Sequence, residues 1–252
     1  KIEAATKLRV IGRAGVGVDN IDVAAASRRG VIVINAPTGN TLAAAELTLA
    51  NMLALLRYVP QAYKSLREGK WERSRFNGHQ LAGKKLLVIG LGPIGSEVAK
   101  RARAFEMEII AFDPYVTKKH ADELDVTLVD DLAGAVSVAD VITIHTPLTD
   151  STRKMIDAKL LRAFKKGSYL VNCARGGIVD EQAVADALRE GRLAGFATDV
   201  YSKEPPAADS PYFAEDIADK IVLTPHLGAS TTEAQEEVSR IAAHNMLMVL
   251  RG

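Results

Sequence analysis

The chain has 252 residues, enough for one large domain or two smaller ones, each with its own buried core. Its 32 basic and 31 acidic residues leave a net charge of +1, and without a basic block we expect neither nucleic acid nor a membrane surface as a partner. The single cysteine, Cys173, excludes an intramolecular disulfide and multi-cysteine metal sites, so we expect no bound metal and a reducing, cytoplasmic environment.

The first part of the chain predicts a small lobe. Two parallel strands and a short helix between them are predicted at residues 8–11, 22–29 and 31–34. A long helical stretch then runs from Leu42 to about Leu66 and is interrupted at Pro60. Its most apolar part, residues 47–56, is much shorter than the roughly 20 residues that span a bilayer. Because two parallel strands cannot enclose the apolar faces of such a lobe, we expect further strands upstream of Lys1.

From Lys84 onward, short apolar runs alternate with helical patterns, which is typical of successive βα units. The strands are predicted at residues 86–89, 108–112, 126–129, 141–145, 169–173, 195–199 and 221–223. The helices are predicted at residues 94–105, 131–137, 158–164 and 181–189, the last closed by Gly191. Several strands are apolar throughout, as expected when helices cover both faces of a sheet. The predicted fold class is therefore α/β, with a doubly wound parallel sheet of the Rossmann type. A final helix at residues 231–250 is expected to pack back onto the first lobe.

The segment GLGPIG places Gly90, Gly92 and Gly95 at the end of a predicted strand and the start of a helix. Gly90 permits a tight turn, Gly92 lets backbone N–H groups approach a pyrophosphate, and Gly95 lets the helix lie close to the strand. The N–H groups at the start of that helix favour the negative charge of the phosphates. Such a glycine pattern is common by itself, but in this position it predicts a dinucleotide site.

The next strand ends at Asp113, 18 residues after Gly95. This spacing suits an acid that accepts hydrogen bonds from the hydroxyls of the adenosine ribose. Its charge would repel a 2′-phosphate, and no arginine follows immediately, so NAD is predicted rather than NADP. The alternative, in which Asp113 only opens a turn with Pro114, remains open.

Polar residues follow three predicted strands at the sheet edge where doubly wound folds bind ligands: Arg175, Glu204 and His226. An arginine offers a planar fork for a substrate carboxylate and polarises the adjacent carbonyl. A histidine transfers a proton near neutral pH, and Glu204 could hold that imidazole. Arg175 could instead be a solvated loop residue, and His226 a structural one. The other histidines are expected to have no function, with His145 ending a strand and the rest exposed: His79, His120 and His244.

Five segments carry a family resemblance: GRAGVGVDNID, GLGPIG, NCARGGIVDE, DVYSKEPP and TPHLGAS. In this order and spacing they resemble the D-2-hydroxyacid dehydrogenase family over essentially the whole chain, and most of all its members that act on 3-phosphoglycerate. The resemblance implies NAD-dependent hydride transfer at C2 of that small-molecule substrate, in L-serine biosynthesis, by a homodimer or higher homo-oligomer. It also implies a NAD-binding Rossmann domain at residues 39–228, and an incomplete, flavodoxin-like substrate lobe made of residues 1–38 and 229–252.

Site residues follow from the same resemblance. It makes His226 the acid/base, Glu204 its partner and Arg175 the substrate anchor that also contacts the nicotinamide side. The implied cofactor contacts are Val16, Gly90, Gly92, Pro93, Ile94, Gly95, Asp113, Thr146, Pro147, Cys173, Ala174, Arg175, Asp199, His226, Gly228 and Ala229. Arg13 matches a substrate-binding position, and Arg73 or Arg75 is expected to reach a substrate phosphate across a dimer.

Three alternatives remain open on the sequence alone. The chain could be another family member, such as a glyoxylate or hydroxypyruvate reductase, because specificity depends on few lobe residues. It could be a non-catalytic, NAD-sensing scaffold like the transcriptional corepressors of the family, which can retain the same polar residues. It could also be a folded NAD-binding fragment without activity.

Overall fold

A computed structural model describes residues 1–251. Within them the strands are β1 (Val10–Gly12), β2 (Ile32–Ile34), β3 (Lys85–Ile89), β4 (Glu108–Phe112), β5 (Thr127–Leu128), β6 (Val141–Ile144), β7 (Ser168–Asn172), β8 (Leu193–Thr198) and β9 (Ile221–Leu223). The helices are α1 (Val23–Arg28), α2 (Thr41–Leu56), α3 (Val59–Arg67), α4 (Pro93–Ala104), α5 (Lys118–Glu123), α6 (Leu132–Val138), α7 (Ala158–Ala163), α8 (Glu181–Arg189) and α9 (Thr232–Arg251). The chain divides into a larger compact unit, residues 45–226, and a smaller one made of residues 1–44 and the segment from Leu227.

The larger unit is built on one parallel sheet with the strand order β5-β4-β3-β6-β7-β8-β9. From the neighbours β3 and β6, the chain adds strands outward in both directions, so the strand order reverses between them. This reversal is the topological switch point, beside which α/β sheets bind their ligands at the carboxyl ends of the strands. The predicted doubly wound Rossmann sheet is therefore confirmed.

The two faces of this sheet carry separate apolar clusters. Successive side chains of β3 alternate between them: Leu87 and Ile89 belong to one cluster, and Leu86 and Val88 to the other. All four side chains are fully buried, and burial of each contributes about 1.5–3 kcal/mol. The apolar runs read from the sequence thus correspond to strands covered on both faces.

The smaller unit contains a two-stranded parallel sheet in which Val10 pairs with Ile32. Asp22 caps the start of helix α1, and its carboxylate accepts the N–H of Ala25 at 2.8 Å. Helix α9 packs on both strands, which confirms that the last helix returns to the first lobe. Strand β2 is partly uncovered, with Ile32 50% exposed. The assignment of the smaller unit to a flavodoxin-like lobe stays a prediction.

The long helical stretch breaks earlier than the sequence predicts. Helix α2 ends at Leu56 and α3 begins at Val59, with a bend of 61° between them. Tyr58 adopts a left-handed conformation at φ 54°, and Pro60 then lies in the first turn of α3, where its missing N–H has no partner to lose. In the part of the chain that the structure describes, no single helix is long and apolar enough to cross a membrane, although this bent pair passes by length and composition.

Helix α5 was not predicted from the sequence. It has only six residues, and its one buried side chain is Ala121, so no apolar periodicity marks it. The hydroxyl of Thr117, which accepts the N–H of His120 at 3.3 Å, caps its start and was the available signal. The expectation of an exposed His120 is wrong, because the imidazole is half-buried and its Nε2 lies 3.2 Å from Ser96 Oγ. His79 and His244 are exposed as predicted.

Candidate active site

The glycine loop joins β3 to α4 at the switch point. Gly90 adopts φ 93°, and a Cβ there would lie 2.9 Å from the His145 carbonyl oxygen, so only glycine fits. A Cβ on Gly95 would overlap the Gly90 carbonyl oxygen. A Cβ on Gly92, by contrast, would meet no atom within 4 Å among the described residues. The fold itself therefore requires Gly90 and Gly95, whereas the space beside Gly92 is open.

The start of α4 suits an anion. Gly92 is the N-cap and Pro93 follows at the first turn, and within residues 1–251 no side chain caps the helix. Its first N–H groups have no partner inside the helix, and the helix dipole adds partial positive charge at this end. The loop thus has the open space and the N–H groups that a pyrophosphate needs, so these residues fit a dinucleotide.

Asp113, directly after β4, is held against this loop. Its Oδ2 accepts the N–H of Leu91 at 2.8 Å, and its Oδ1 accepts the N–H of Tyr115 at 2.9 Å. Each carboxylate oxygen keeps a second lone pair for a ribose hydroxyl. The carboxylate is therefore fixed in place before any ligand binds.

Thr146 and Pro147 follow β6, on the other side of the switch point. The Thr146 Oγ1 is buried and has no hydrogen-bond partner in the described chain, which is uncommon for a buried hydroxyl. The Thr146 side chain adjoins the glycine loop, because its methyl group is 2.9 Å from the Cβ position of Gly90. The neighbouring His145 bonds through Nε2 to Thr143 Oγ1 at 2.9 Å, and burial lowers its pKa to about 3, so it is uncharged at neutral pH.

The loop after β7 carries Arg175. The fully buried side chain of Asn172 closes this loop, since its Nδ2 donates to the Arg175 carbonyl at 3.0 Å and its Oδ1 accepts the N–H of Ala174 at 3.1 Å. The guanidinium is half-buried and donates to the Ala174 carbonyl at 2.7 Å. A Cβ on Gly176 would overlap the backbone of Tyr201, so the loops after β7 and β8 touch here.

Glu204 and His226 meet at the ends of β8 and β9. The Glu204 Oε2 lies 2.6 Å from His226 Nδ1, and its Oε1 accepts the N–H of Tyr201 at 3.1 Å. An ionised carboxylate only accepts hydrogen bonds, so Nδ1 carries the proton and Nε2 is left as the basic nitrogen. The imidazole remains 47% exposed and thus accessible to a substrate. His226 adopts φ 56°, an uncommon conformation for a residue with a side chain.

A buried polar group lies beneath these loops. Asp199 is fully buried and accepts the hydroxyl of Thr224 at 2.6 Å, and burial raises the pKa of the Cys173 thiol to about 11. Asn51 of α2 donates to both Cys173 and Thr224. The sequence interpretation missed Asn51 and Thr224. Asn51 could have been recognised as one of two polar residues, with Thr48, in the apolar run of residues 47–56.

Other predicted site residues belong to the smaller unit: Arg13, Val16, Gly228 and Ala229. The Arg13 guanidinium donates to the Ala14 carbonyl at 2.6 Å, and its Nε is buried without a partner in the described residues. The carbonyl of Val16 accepts the Asn35 amide at 2.8 Å, and that of Ala229 accepts the Gln235 amide at 2.7 Å.

The two candidate phosphate ligands differ. Both lie in a short helical turn, Arg73–Phe76, and both are exposed. The Arg75 guanidinium is already paired, at 2.6 Å with Asp219 and at 3.1 Å with Glu72. Arg75 would have to give up these contacts to bind a phosphate, and Arg73 is the better placed of the two.

Comparison with known proteins gives the same family. Residues 49–228 match the family model described as D-isomer specific 2-hydroxyacid dehydrogenase, NAD binding domain. The chain is 51% identical over 251 residues to the D-3-phosphoglycerate dehydrogenase of Methanocaldococcus jannaschii, covering 100% of this chain and 47% of that protein. The chain thus spans about half the length of the curated relatives it matches.

Two solved structures extend the comparison. The NAD-dependent formate dehydrogenase of Staphylococcus aureus in complex with NAD is 33% identical with a TM-score of 0.87, over 99% of this chain and 74% of that one. A glyoxylate reductase from Paecilomyes thermophila is 32% identical with a TM-score of 0.86, over 96% of this chain and 72% of that one. The prediction of NAD as the cofactor is confirmed at the level of the family.

Proposed function

The chain belongs to the D-isomer-specific 2-hydroxyacid dehydrogenase family, and on that premise we propose that it oxidises C2 of 3-phosphoglycerate to give 3-phosphohydroxypyruvate in L-serine biosynthesis. The contact of 2.6 Å between Glu204 and His226, at the carboxyl edge of the sheet, carries this proposal. It provides an oriented imidazole at the place where α/β folds bind their ligands.

His226 handles the proton. Its Nε2 accepts the proton of the C2 hydroxyl as the alcohol becomes a ketone, and it returns that proton in the reverse direction. Glu204 fixes the ring through Nδ1 and stabilises the imidazolium that forms. When bound, oxidised NAD accepts the hydride that leaves C2 in the same reaction.

Arg175 orients the substrate. Its guanidinium forms a bidentate pair with the substrate carboxylate and polarises the oxygen on C2. Asn172 supports this role, because it fixes the backbone on both sides of Arg175 before substrate arrives. Arg13 and Arg73 are the further cations that we assign to the substrate.

The cofactor lies along the glycine loop. The pyrophosphate binds at the N–H groups that follow Gly92, and the Asp113 carboxylate accepts the ribose hydroxyls. The remaining contacts are those predicted from the resemblance, with one change for Asp199. Because that carboxylate is fully buried and bonded to Thr224, we assign it to the support of the site.

The smaller unit is part of the substrate-binding lobe in this proposal, and residues 39–228 form the NAD-binding domain. The compact units divide nearby, after residues 44 and 226. We place the protein in the cytoplasm, in keeping with a single cysteine whose thiol remains unpaired.

We also propose a homodimer. One face of α3 carries Val59, Tyr63 and Leu66, which are 55%, 68% and 59% exposed, and Trp71 nearby is 82% exposed. Positions i, i+4 and i+7 lie on one side of a helix, so Val59, Tyr63 and Leu66 share one exposed apolar face of α3. Light scattering of the purified chain should give twice the monomer mass, and a monomer at micromolar concentration would contradict this part of the proposal.

Turnover separates the proposed function from its alternatives. With NADH and 3-phosphohydroxypyruvate, His226→Ala should lower kcat by about 10²- to 10⁴-fold, whereas His244→Ala, an exposed control, should leave it unchanged. Faster turnover of glyoxylate or hydroxypyruvate would point instead to the reductase alternative. Binding of NADH without turnover of any of the three substrates would point to a sensing scaffold or an inactive fragment.

A further inference from the structure

Helix α2 carries two buried polar side chains on one face. Thr48 is fully buried and Asn51 is 3% exposed, in a helix that is otherwise almost entirely apolar. Residues three positions apart lie on the same side of a helix. A buried amide without hydrogen-bond partners is strongly destabilising, so the partners of Asn51 indicate its role.

The Asn51 amide bridges two strand ends. Its Nδ2 donates to Cys173 Sγ at 3.6 Å, after β7, and to Thr224 Oγ1 at 3.3 Å, after β9. An amide nitrogen has two hydrogens, one for each acceptor. With a pKa of about 11, caused by burial, the Cys173 thiol remains protonated at neutral pH and accepts only weakly, so the Thr224 contact is the stronger of the two.

Thr224 connects this amide to the acid/base pair. Its hydroxyl donates to Asp199 Oδ1 at 2.6 Å and therefore accepts from Asn51. Its carbonyl accepts the hydroxyl of Tyr201 at 3.0 Å and the N–H of His226 at 3.1 Å. The side-chain hydroxyl and the backbone carbonyl of Thr224 therefore each have two hydrogen-bond partners.

Both members of the pair depend on Thr224. Tyr201 donates its hydroxyl to the Thr224 carbonyl and its N–H to Glu204 Oε1. The backbone N–H of His226 donates to the same Thr224 carbonyl, which holds the backbone of His226 in place. A left-handed conformation such as that of His226 is strained for a residue with a side chain and persists only where surrounding contacts hold it. The contacts at Thr224 supply that constraint.

We propose that Asn51 is a positioning residue for His226 and Glu204, acting through Thr224 without touching substrate or cofactor. The inference rests on the proposed function, because it assigns the pair to proton transfer. Asn51 fixes the Thr224 side chain, and Thr224 fixes the separation and direction of the two reacting groups. Displacements of about 1 Å in such groups lower rates by up to about 10²-fold.

Two variants each remove the polar group of one side chain while keeping its approximate size: Asn51→Leu and Thr224→Val. Asn51→Leu should lower kcat for 3-phosphohydroxypyruvate reduction at least tenfold, with the KM for NADH within about twofold of wild type. Thr224→Val should reproduce this loss without altering α2, and Thr224→Ser, which keeps the hydroxyl, should restore most of the rate. Because the residues act as one unit, the double variant should be no slower than Thr224→Val alone.

Thr48→Val is the matched control. It removes a hydroxyl that bonds to Cys173 from the same face of α2 but leaves Thr224 untouched. It should lower Tm about as much as Asn51→Leu and leave kcat within about twofold of wild type. Equal losses of kcat in Thr48→Val and Asn51→Leu, or none in either, would overturn the proposal.

A spectroscopic readout separates this inference from the proposed function. In the 252-residue chain, the ring signals of His226 in a ¹H–¹³C NMR spectrum should shift in Asn51→Leu and Thr224→Val, while those of the exposed His244 stay in place. This holds even if the chain turns over none of the substrates, in which case only the proposed function fails. Superimposable His226 signals in wild type and both variants would overturn the positioning role.

Discussion

The Asp113 carboxylate accepts the backbone N–H of Leu91 at 2.8 Å, which joins the end of β4 to the glycine loop after β3. The acid that faces the ribose in the proposed complex therefore also holds the loop that faces the pyrophosphate. One side chain thus serves two parts of the dinucleotide site, and its charge and its hydrogen-bond acceptor can be tested separately.

Asp113→Asn removes the charge but keeps an acceptor for Leu91. We expect Tm to fall slightly, because the amide nitrogen of Asn cannot accept the N–H of Tyr115 as Oδ1 of Asp113 does. The variant should also lose most of its preference for NADH over NADPH, because the repulsion of a 2′-phosphate is gone. Asp113→Ala should in addition weaken NADH binding, since the loop loses its anchor. Fluorescence titrations with both cofactors measure the ratio, and an unchanged preference in Asp113→Asn would count against the assigned role.

Gly176 and Gly177 provide a matched pair in the Arg175 loop. A Cβ on Gly176 would overlap the backbone of Tyr201, which cannot move aside, whereas a Cβ on Gly177 would meet only the flexible side chain of Leu148 at 3.1 Å. Gly176→Ala should cost about 3 kcal/mol or more of unfolding free energy, and Gly177→Ala about 1 kcal/mol or less. Urea denaturation measures both, and similar values would mean that the two loops do not touch as described.

His145 makes stability depend on pH. Burial lowers its pKa from 6.5 to about 3, so below about pH 6.5 the unfolded chain binds a proton that the folded chain does not. This contribution to stability is complete above about pH 6.5 and is lost as the pH falls toward 3. His145→Gln, which keeps a hydrogen-bonding group for Thr143, should therefore lose less unfolding free energy than wild type between about pH 7 and about pH 4.5. Equal losses in variant and wild type would refute this assignment.

The sheet could be predicted from the sequence because its strands are apolar on both faces. Runs such as 141–145 are short, β-rich and bounded by turn residues, and their bounds agree with the structure to within about two residues. Helix α5 was not predicted because its sequence is almost entirely polar. The break after Leu56 was misplaced because Pro60 was read as the breaker, whereas a proline in the first turn of a helix is well tolerated.

The candidate site also contains some residues that the sequence predicts and others that it does not. Its glycines, Asp113, Glu204 and His226 could be predicted as site candidates because each follows a strand of a doubly wound fold, and all these strands end at the same carboxyl edge. The proposed role of Asn51 was not predictable, because it depends on which face of α2 meets the sheet and on contacts across more than a hundred residues of sequence. Local patterns contain no information about such contacts.

In the proposed function, the loop from Gly90 to Gly95 binds the pyrophosphate of NAD. Gly92→Ala tests it most directly, because φ −72° and ψ −166° suit alanine and the added methyl group has open space in the described structure. By isothermal titration calorimetry, Gly92→Ala should bind NADH at least tenfold more weakly than wild type, at an unchanged Tm, since the methyl group occupies the place of the phosphates. Equal NADH affinity in Gly92→Ala and wild type would contradict pyrophosphate binding by this loop.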